Sequence, residues 1–450
     1  MRIVHGAEEG RRTLLRRQPL GETELPAAVR AKAAEVHGGD LSVEQQVRRI
    51  LGDVAREGDA AVRRYTEAFA GVTVGALECT RDEIARAYDA VDAALVDALR
   101  AAADRIRDYH RRQLEHSSRT FSHEGVGMQV RPIARVGMYV PTSRGAVYPS
   151  SVLMTGIPAR VAGVRELIMC SPAAPDGTMA ALKLVAADIA GVDRVFKAGG
   201  AEAIAAMAYG TETIPRVDKI VGPGNIFVTV AKREVFGPVG IDALYGPSET
   251  IVIADETADP MLAAADLLAQ AEHDELATPI LLTTSAQVAE AVAAEVERQL
   301  RLLDREQIAR TSFDARGGAV IVGSVDEAVA LADEYAPEHL CLLVKDAAAV
   351  AATVQNAGGI FVGDEAPESL GDYTAGPSHV MPTAGAARYA SPLGVHDFVK
   401  VSSVVAVGPG VLKAAGVPAA AIARAEGFTA HARSIELRLH GGEFETERPR

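Results

Sequence analysis

The stretch Ala134-Arg-Val-Gly-Met-Tyr-Val-Pro141 has the pattern of a buried strand that runs into a turn. Directly after it, Ser150-Ser-Val-Leu-Met-Thr155 opens a helix with serine at its cap. From there to Gly359–Val362, short apolar runs of strand length alternate with helical segments. This alternation is typical of βαβ units around a parallel sheet. The sequence therefore predicts an α/β protein built on open parallel sheets.

The length of 450 residues exceeds what one ordinary core holds, so more than one domain is expected. Before the strand at residue 134, apolar residues recur at helical spacing, which predicts a helical N-terminal region. We predict two similar sheet domains, one inserted into the other. The predicted boundaries are an arm at 1–40, a first α/β domain at 41–138 plus 248–390, an inserted second α/β domain at 139–247, and a small tail at 391–450.

Composition narrows the class of protein. The chain has 46 basic and 60 acidic residues, a net charge of −14, which argues against nucleic acid as a partner. The N-terminus has no apolar signal segment, and no apolar run reaches the about 18 residues of a membrane helix. Cys79, Cys170 and Cys341 lie far apart, which predicts neither a disulfide framework nor a thiolate zinc site. We expect a cytoplasmic protein with no membrane partner.

A polar stripe lies near the end of a predicted helix in Leu267-Leu-Ala-Gln-Ala-Glu-His-Asp274. At helical spacing Asp266, Gln270 and His273 share one face, opposite the apolar residues. A carboxylate, an amide and an imidazole that converge in this way suit a metal or a polar substrate. A solvated helix face is the alternative interpretation of this segment taken alone.

Two further motifs carry chemistry. Gly222-Pro-Gly-Asn225 follows an apolar strand and precedes a helix, so its backbone N–H groups can approach a ligand; a tight turn is the alternative. Pro337-Glu-His-Leu340 places a carboxylate beside an imidazole at the mouth of a strand. Adjacent strand residues point to opposite faces, so the two side chains are expected to do separate proton-transfer work.

The densest polar loop of the chain runs from Glu368 to Thr383 and contains Asp372 and His379. Loops of this length are rarely mere connectors. Its glycines and prolines predict that it is not a regular helix. In the tail, Glu426-Gly-Phe-Thr-Ala-His431 sets a carboxylate and an imidazole on different helical faces unless Gly427 breaks the helix.

Together these segments resemble the histidinol dehydrogenase family, in order and in rough spacing, from about residue 40 to about residue 435. The motifs that carry the resemblance are Gly222-Pro-Gly-Asn225, Gly246-Pro-Ser-Glu249, Gln270-Ala-Glu-His273, Pro337-Glu-His-Leu340, Gly371-Asp-Tyr373 with Ser378-His-Val380, and Glu426-Gly-Phe-Thr-Ala-His431. The resemblance implies two incomplete Rossmann-like domains in an intertwined homodimer.

The resemblance also implies an activity and two cofactors. Members of this family oxidise L-histidinol to L-histidine through bound histidinaldehyde, with two NAD used in succession, as the last step of histidine biosynthesis. By resemblance the Zn²⁺ ligands are Gln270, His273, Asp372 and His431. His431 is expected to reach the site from the other subunit, which implies shared active sites. Zinc is expected to orient the nitrogens of the substrate more than to ionise water.

By resemblance, His339 takes the proton in each oxidation, and Glu338 activates the water that adds to the aldehyde. The implied substrate-binding residues are Ser150, Ser248, Gln270, His273, His339, Glu368, Asp372, His379, Glu426 and His431. The implied NAD-binding residues are Tyr139, Glu202 and Asn225. Glu202 stands where the family normally has Gln; if it faces a ribose 2′-hydroxyl, NADP should be refused.

Two other departures from the family border the expected pocket. Pro141-Thr-Ser-Arg-Gly-Ala-Val-Tyr-Pro149 is one residue longer than usual, and Tyr245 stands where a smaller residue is common. These changes leave open the same chemistry on another alcohol, such as a sulfonated diol. A second alternative is a non-catalytic, zinc-stabilised binding relative. No expected zinc ligand and neither member of the Glu338–His339 pair is missing, which favours the enzyme.

Overall fold

The computed structural model describes residues 1–17, 27–39, 41–143 and 146–440. Parts of three sequence features therefore lie outside the described residues, namely 18–26 and 40 of the predicted arm, 144–145 of the Pro141–Pro149 segment, and 441–450 of the tail. The packing of the chain divides it into two compact units. The first unit comprises residues 1–116 and 133–398, and the second comprises residues 117–132 and the chain from Val399 onward.

Strands and helices follow each other along the chain. The strands are β1 (Arg2–His5), β2 (Phe121–His123), β3 (Val126–Pro132), β4 (Arg135–Tyr139), β5 (Thr142–Ser143), β6 (Ala146–Val147), β7 (Glu166–Ser171), β8 (Arg194–Lys197), β9 (Lys219–Val221), β10 (Gly240–Ile241), β11 (Glu249–Ala254), β12 (Thr278–Thr283), β13 (Gly318–Ile321), β14 (His339–Leu343), β15 (Gly359–Val362) and β16 (Val399–Val405). The helices are α1 (Ala7–Arg12), α2 (Ala27–His37), α3 (Val43–Glu57), α4 (Asp59–Ala70), α5 (Arg81–Asp89), α6 (Ala93–Glu115), α7 (Pro149–Val161), α8 (Ala181–Ala190), α9 (Gly200–Tyr209), α10 (Ile226–Val235), α11 (Pro260–Ala271), α12 (Ala286–Leu300), α13 (Glu306–Arg316), α14 (Val325–Tyr335), α15 (Ala347–Ala351), α16 (Glu368–Tyr373), α17 (Pro409–Ala425) and α18 (Thr429–Leu439).

The first unit contains a six-stranded parallel sheet in the order β1-β13-β12-β11-β14-β15. Its central strands β11 and β12 are buried along their whole length. Apolar side chains cover both faces of the sheet, because helices α11 to α13 pack on one side and α14 and α15 on the other. Because both faces of the sheet are buried, the sequences of these strands are continuous apolar runs and do not alternate between apolar and polar residues.

The edge strand β1 comes from the segment predicted to be an N-terminal arm. Arg2–His5 pairs in parallel with Gly318–Ile321, and α1 follows it directly. Four residues are too few for a periodic pattern to stand out in the sequence. The first seventeen residues therefore add to this sheet, which the sequence did not indicate.

The first unit also contains a five-stranded parallel sheet in the order β10-β9-β4-β7-β8. Helices α3, α4, α9 and α10 cover one face, and α5 to α8 cover the other. The predicted grouping of residues 41–138 with 248–390 differs from this packing, because α3 to α6 bury their apolar sides against the five-stranded sheet. Helical periodicity identifies an apolar face but not the surface that covers it.

The second unit has a small antiparallel sheet in the order β16-β3-β2. It also contains the helices α17 and α18, which pack against each other. Gly427, with φ 83°, separates these helices, so the sequence between Pro418 and His440 is not one continuous helix. Positive φ is readily adopted by glycine, which has no Cβ.

The prediction of an α/β fold with two open parallel sheets is confirmed. Cys79, Cys170 and Cys341 are all buried, and none of them forms a disulfide. Across the described parts of the chain, none of the helices combines the length and the apolar character needed to cross a membrane.

Candidate active site

Glu338 and His339 lie where the chain enters β14, at the amino edge of the six-stranded sheet. Only 8% of Glu338 and 4% of His339 is exposed. The backbone N–H of Glu249 donates to Glu338 Oε2 at 3.1 Å, and His339 Nδ1 lies 3.4 Å from the carbonyl oxygen of the same residue. Glu338 Oε2 and His339 Nδ1 are 3.9 Å apart, too far for a hydrogen bond. The two groups are therefore neighbours that can exchange protons with different atoms of a ligand.

Asp372, in α16, brings the imidazoles together. Its Oδ1 lies 3.8 Å from His339 Nε2 and 3.9 Å from His379 Nδ1. His273 is the third imidazole near enough to act on its charge. Burial opposes ionisation of Asp372, but the three imidazoles outweigh burial and lower its pKa to about 2. Asp372 is therefore a carboxylate at any physiological pH.

The charges of the acid–base pair depend on each other. Burial raises the pKa of Glu338, and the adjacent His339 imidazole opposes that rise. Burial disfavours the His339 cation, but the carboxylates of Glu338, Asp372 and Glu368 outweigh burial and raise the pKa of His339. A site in which a carboxyl group and an imidazole both have shifted pKa values is well suited to proton transfer.

Gln270 lies in the last turn of helix α11 and is only 1% exposed. Neither its Oε1 nor its Nε2 has a hydrogen-bond partner, and His339 Nε2 also lacks one. Leaving a buried polar atom unpaired costs about 1–3 kcal/mol. An amide with two unpaired atoms therefore indicates a ligand that completes the site.

The donor set next to Gln270 suits zinc. His273 follows one turn later, and its backbone N–H donates to the carbonyl oxygen of Gln270 at 3.2 Å. The side chain of His273 is exposed in this single chain, although desolvation by the surrounding protein lowers its pKa. An amide oxygen, an imidazole and the Asp372 carboxylate are all groups that coordinate divalent cations. The residues present fit the implied metal.

Within the described residues, no cluster of three or more His, Cys, Asp or Glu side chains is arranged to hold a metal ion. The predicted ligands in the first unit include two residues of those types, His273 and Asp372, since Gln270 is an amide. His431, the fourth predicted ligand, lies in the second unit and is exposed, as is Glu426. The roles assigned to His431 and Glu426 stay predictions.

The predicted substrate residues of the first unit lie in different surroundings. Glu368, only 1% exposed, accepts a hydrogen bond from Thr250 Oγ1 at 2.7 Å, and burial raises its pKa to about 7. The Nδ1–H of His379 donates to the carbonyl oxygen of Asp372 at 2.9 Å, and its Nε2 lies 3.1 Å from the hydroxyl of Ser151. Both ring nitrogens of His379 are therefore engaged within the protein.

Ser150 and Ser248 are half-buried and belong to two other elements. Ser150 lies in the first turn of α7, and Ser248 directly precedes β11. The carbonyl oxygen of Ser248 accepts from the backbone N–H of Thr278 at 3.0 Å. Glu368 begins α16, a short helix within the loop that the sequence predicted to be irregular.

The predicted cofactor residues lie at the carboxyl edge of the five-stranded sheet. Tyr139 ends β4, and the Gly222-Pro-Gly-Asn225 turn follows β9, its neighbour in the sheet. A Cβ on Gly222, which has φ 107°, would lie 2.3 Å from the carbonyl oxygen of Tyr139, so only glycine fits. The strand order reverses between β4 and β9. Open α/β sheets bind ligands at such a reversal.

Two helices point their amino ends towards this edge. Asn225 is exposed, and its side chain accepts hydrogen bonds from Phe227 and Val228 at the start of α10. The hydroxyl of Tyr139 accepts from the backbone N–H of Gly200 at 3.1 Å, at the start of α9. Helix amino ends suit the phosphates of a dinucleotide.

Glu202 occupies the first turn of α9 but is only 4% exposed. Burial raises its pKa to about 8, so the protonated form predominates near neutral pH. A protonated carboxyl group has one donor and one acceptor, as an amide side chain does. A protonated Glu202 therefore would not repel a pyrophosphate as a carboxylate would.

Several supporting residues were not identified from the sequence. Lys183, 1% exposed, donates to the carbonyl oxygen of Pro141, Thr142 Oγ1 and Ser171 Oγ at 2.6–2.8 Å and so fixes the loop after β4. Burial lowers its pKa to about 7. An isolated lysine in an apolar helix gives no sign of such a role.

A second buried lysine links the cofactor turn to the segment before Ser248. Lys232 forms an ion pair with Asp242 and donates to the carbonyl oxygen of Gly222 at 2.9 Å. Asp242 also accepts from the backbone N–H of Gly222 at 2.7 Å and from the hydroxyl of Tyr245 at 2.9 Å. Tyr245, flagged as a departure near the pocket, therefore supports the pocket wall.

An open α/β sheet with a reversal of strand order and a buried glutamate–histidine pair indicate the class of α/β oxidoreductases. A family model described as histidinol dehydrogenase matches residues 35–439. The chain belongs to the histidinol dehydrogenase family, which catalyses the last step of histidine biosynthesis. The alternatives of another alcohol substrate and of a non-catalytic relative are not favoured.

Individual relatives agree with the family model. The chain is 52% identical over 400 residues to histidinol dehydrogenase of Moorella thermoacetica, covering 88% of this chain and 94% of that protein. It is 49% identical over 410 residues to that of Geobacillus kaustophilus, covering 91% and 96%. The crystal structure of histidinol dehydrogenase from Elizabethkingia anophelis superimposes with a TM-score of 0.88 at 33% identity, covering 98% of each chain.

Proposed function

We propose that this chain oxidises L-histidinol to L-histidine through histidinaldehyde, at a site built around Glu338, His339, Asp372 and Gln270. The observation that carries the proposal is the pair of unpaired amide atoms on buried Gln270, whose backbone carbonyl oxygen accepts from the backbone N–H of His273. An amide with no protein partner is otherwise costly to bury. A metal ion that binds an amino alcohol would pair with the Gln270 amide, which would explain why an amide is kept at this buried position.

His339 serves as the proton acceptor in each oxidation. In the first step the hydroxyl proton of the alcohol passes to His339 while a hydride leaves the carbon for NAD. Water then adds to the aldehyde, with Glu338 as the base, and the hydrate loses a second proton and a second hydride in the same way. The two hydride transfers give the carboxylate of histidine and two NADH. Separate bases are needed because water attack and hydroxyl deprotonation occur at different atoms.

The zinc ligands in this proposal are Gln270, His273 and Asp372, together with the partner subunit's His431. The bound ion would orient the amino and imidazole nitrogens of the substrate. Asp372 also faces His339 at 3.8 Å, so the same carboxylate positions the base. Glu368 and Glu426 supply carboxyl groups that hydrogen-bond an imidazole N–H and favour a cationic ligand.

NAD is the proposed oxidant, held along Tyr139, Asn225 and Glu202. The reversal of strand order and the two helix amino ends support a dinucleotide at this edge. Glu202 lies on α9 and offers no cation to a 2′-phosphate. We therefore expect a clear preference for NAD over NADP, and equal initial rates with both would contradict it.

We propose a homodimer with shared active sites, and the exposure of Glu426 and His431 in a small second unit supports it. Buried ligands are normally pre-positioned by packing, so exposed ones need a partner surface. The reducing cytoplasm is the expected location, since the three cysteines are free.

The test is NADH formation from L-histidinol, measured before and after chelation and again after zinc is restored. Chelation should abolish the signal, and zinc should restore it. Glu338→Gln should lose histidine formation but keep the first oxidation, whereas His339→Asn should slow both. A chelated enzyme with full activity, or no NADH from L-histidinol at all, would refute the proposal.

Mixed dimers test the shared site. Homodimers of Glu338→Gln and homodimers of His431→Asn are each expected to form no histidine. A mixed dimer regains one intact site, because the partner's wild-type His431 completes the pocket that contains wild-type Glu338. Homodimers of each variant at the same concentration are the controls, and mixed dimers without activity would refute the exchange.

A further inference from the structure

Arg17 is the last described residue of the first N-terminal stretch, and it lies against the catalytic edge of the six-stranded sheet. Its Nε and Nη2 donate to the two carboxylate oxygens of Glu249 at 2.8 and 2.6 Å. Only 21% of the Arg17 side chain and 7% of the Glu249 side chain are exposed. A bidentate arginine–carboxylate pair fixes orientation as well as charge. The Arg17–Glu249 pair is therefore a largely buried, specific contact and not a surface ion pair.

Glu249 is the residue whose backbone contacts both members of the catalytic pair. Its N–H donates to Glu338 Oε2, and its carbonyl oxygen lies 3.4 Å from His339 Nδ1. Its side-chain carboxylate lies near enough to raise the pKa of Glu338 further, after the larger effect of burial. The Arg17 cation thus compensates the negative charge of the Glu249 carboxylate, which would otherwise act on Glu338.

Arg17 also holds the turn that leads into the pair. Its guanidinium lies 3.7 Å from the centre of the Tyr335 ring, and it donates to the carbonyl oxygens of Tyr335 and Ala336. Ala336 has φ 52°, a conformation that residues with a side chain rarely adopt. Such a conformation persists where surrounding contacts impose it. Arg17 supplies two of those contacts.

The N-terminal segment positions Arg17 firmly. Strand β1 pairs along its length with β13, and Leu14 and Leu15 pack against the core of the sheet. A Cβ on Gly318 would lie 2.6 Å from Leu14 Cδ1, which shows how closely this segment is packed. The guanidinium therefore reaches Glu249 from a docked segment.

We propose that Arg17 is a positioning residue for the Glu338–His339 pair, acting through Glu249 and the Tyr335–Ala336 turn. The inference rests on the proposed function, in which Glu338 and His339 carry the proton transfers. It makes residues 1–17 part of the catalytic apparatus. Arg17 does not touch the substrate; it sets the backbone that the two catalytic side chains depend on.

The experiment compares steady-state kinetics of the full-length enzyme with Arg17→Met, Arg17→Lys, Glu249→Gln and Arg17→Met/Glu249→Gln. Arg16→Met is the matched control, because Arg16 is the exposed neighbour in the same segment. Arg17→Met should lower kcat for L-histidinol by about ten- to a hundred-fold, as small misplacements of catalytic groups do. The KM for NAD should change less than about two-fold, since the cofactor turn lies on the other sheet.

The conservative variants separate charge from geometry. Arg17→Lys keeps the positive charge but loses the paired hydrogen bonds of the guanidinium. Its kcat should therefore lie between those of Arg17→Met and the wild type. The double variant removes the uncompensated carboxylate and should recover part of the kcat lost in Arg17→Met. Zinc content and the melting curve should match those of Arg16→Met in every variant that shows the kcat effect.

Three results would overturn the inference. Arg17→Met could match Arg16→Met in kcat. Its loss of activity could equal the fraction of unfolded protein given by the melting curve. The double variant could be no better than Arg17→Met. Glu338→Gln and His339→Asn separate the role of Arg17 from the proposed function. If these two variants are impaired while Arg17→Met has normal activity, the role of Arg17 is refuted and the proposed function is not.

Discussion

Replacing Lys232 with Met should destabilise the protein and weaken NAD binding, because Lys232 joins two walls of the site. Its side chain and that of Asp242 are 1% and 2% exposed. Removal of one partner from a buried ion pair costs about 3–5 kcal/mol, since the other charge is left uncompensated. Asp242 keeps two donors, the N–H of Gly222 and the hydroxyl of Tyr245. We therefore expect Lys232→Met to lower the free energy of unfolding by about 3 kcal/mol, the lower end of this range.

Methionine preserves most of the apolar stem of lysine, so the change leaves little cavity. The lost contacts are the ion pair and the hydrogen bond to the carbonyl oxygen of Gly222. Because Gly222 begins the cofactor turn, its loss of support should raise the KM for NAD more than the KM for L-histidinol. The double variant Lys232→Met/Asp242→Asn removes both charges and should recover at least about 1 kcal/mol.

The assay is urea unfolding at fixed protein concentration, followed by circular dichroism, with NADH formation measured on the same preparations. Arg233→Met is the matched control, because Arg233 is adjacent but half-exposed, and its surface ion pairs should be worth about 0–1 kcal/mol. A loss below about 1 kcal/mol for Lys232→Met, or a double variant worse than the single one, would refute the reasoning.

Three other substitutions test buried polar groups. Gln270→Leu should raise the unfolding free energy of metal-free protein by about 1–3 kcal/mol while lowering zinc content, measured by urea titration and metal analysis; unchanged zinc content would contradict the ligand role. Burial lowers the pKa of Lys183 from 10.5 to about 7. Between these two pH values Lys183 is protonated in the unfolded chain but not in the folded protein. The unfolding free energy of wild type relative to Lys183→Met should rise with pH across this window, by at most about 1.4 kcal/mol per pH unit; a flat difference would contradict it. The raised pKa of Glu202, about 8, has the opposite sign: the folded state binds more protons, so stability falls as pH rises from about 4.5 to about 8. Glu202→Gln should remove this fall in the same unfolding assay, and equal slopes for both proteins would contradict it.

The alternation of apolar runs and helices predicted both parallel sheets, because strands buried on both faces must be apolar throughout. The order of the strands could not be predicted in the same way. Strand β1 has four residues, and its partner β13 lies more than three hundred positions away. The antiparallel pair of β3 with β16 also joins segments that are far apart in the sequence, and their residues are largely exposed, so no apolar alternation marks them.

At the site, sequence patterns identified side chains with unusual chemistry but not those that support them. Glu338 and His339 stand out as a carboxylate next to an imidazole, and the structure places Asp372 beside His339. Arg17, Lys183 and Lys232 look like ordinary charged residues in the sequence. Their importance comes from burial and from the acceptors they meet, which depend on tertiary packing.

The catalytic pair lies at the amino edge of a parallel sheet, whereas ligands of open α/β sheets usually bind at the carboxyl edge. The path of the chain explains the difference. Strand β10 leaves the carboxyl edge of the five-stranded sheet at Ile241, and residues 242–248 lead directly into the amino edge of the six-stranded sheet at Glu249. A linker this short brings the two edges together, and Lys232 pins it to the cofactor turn through Asp242. In the proposed site the dinucleotide would bind at the usual carboxyl edge of the five-stranded sheet, and Glu338 and His339 would come from the amino edge of the six-stranded sheet. We propose that Arg17 and Lys232, which contact opposite ends of this arrangement, hold the reacting groups in position.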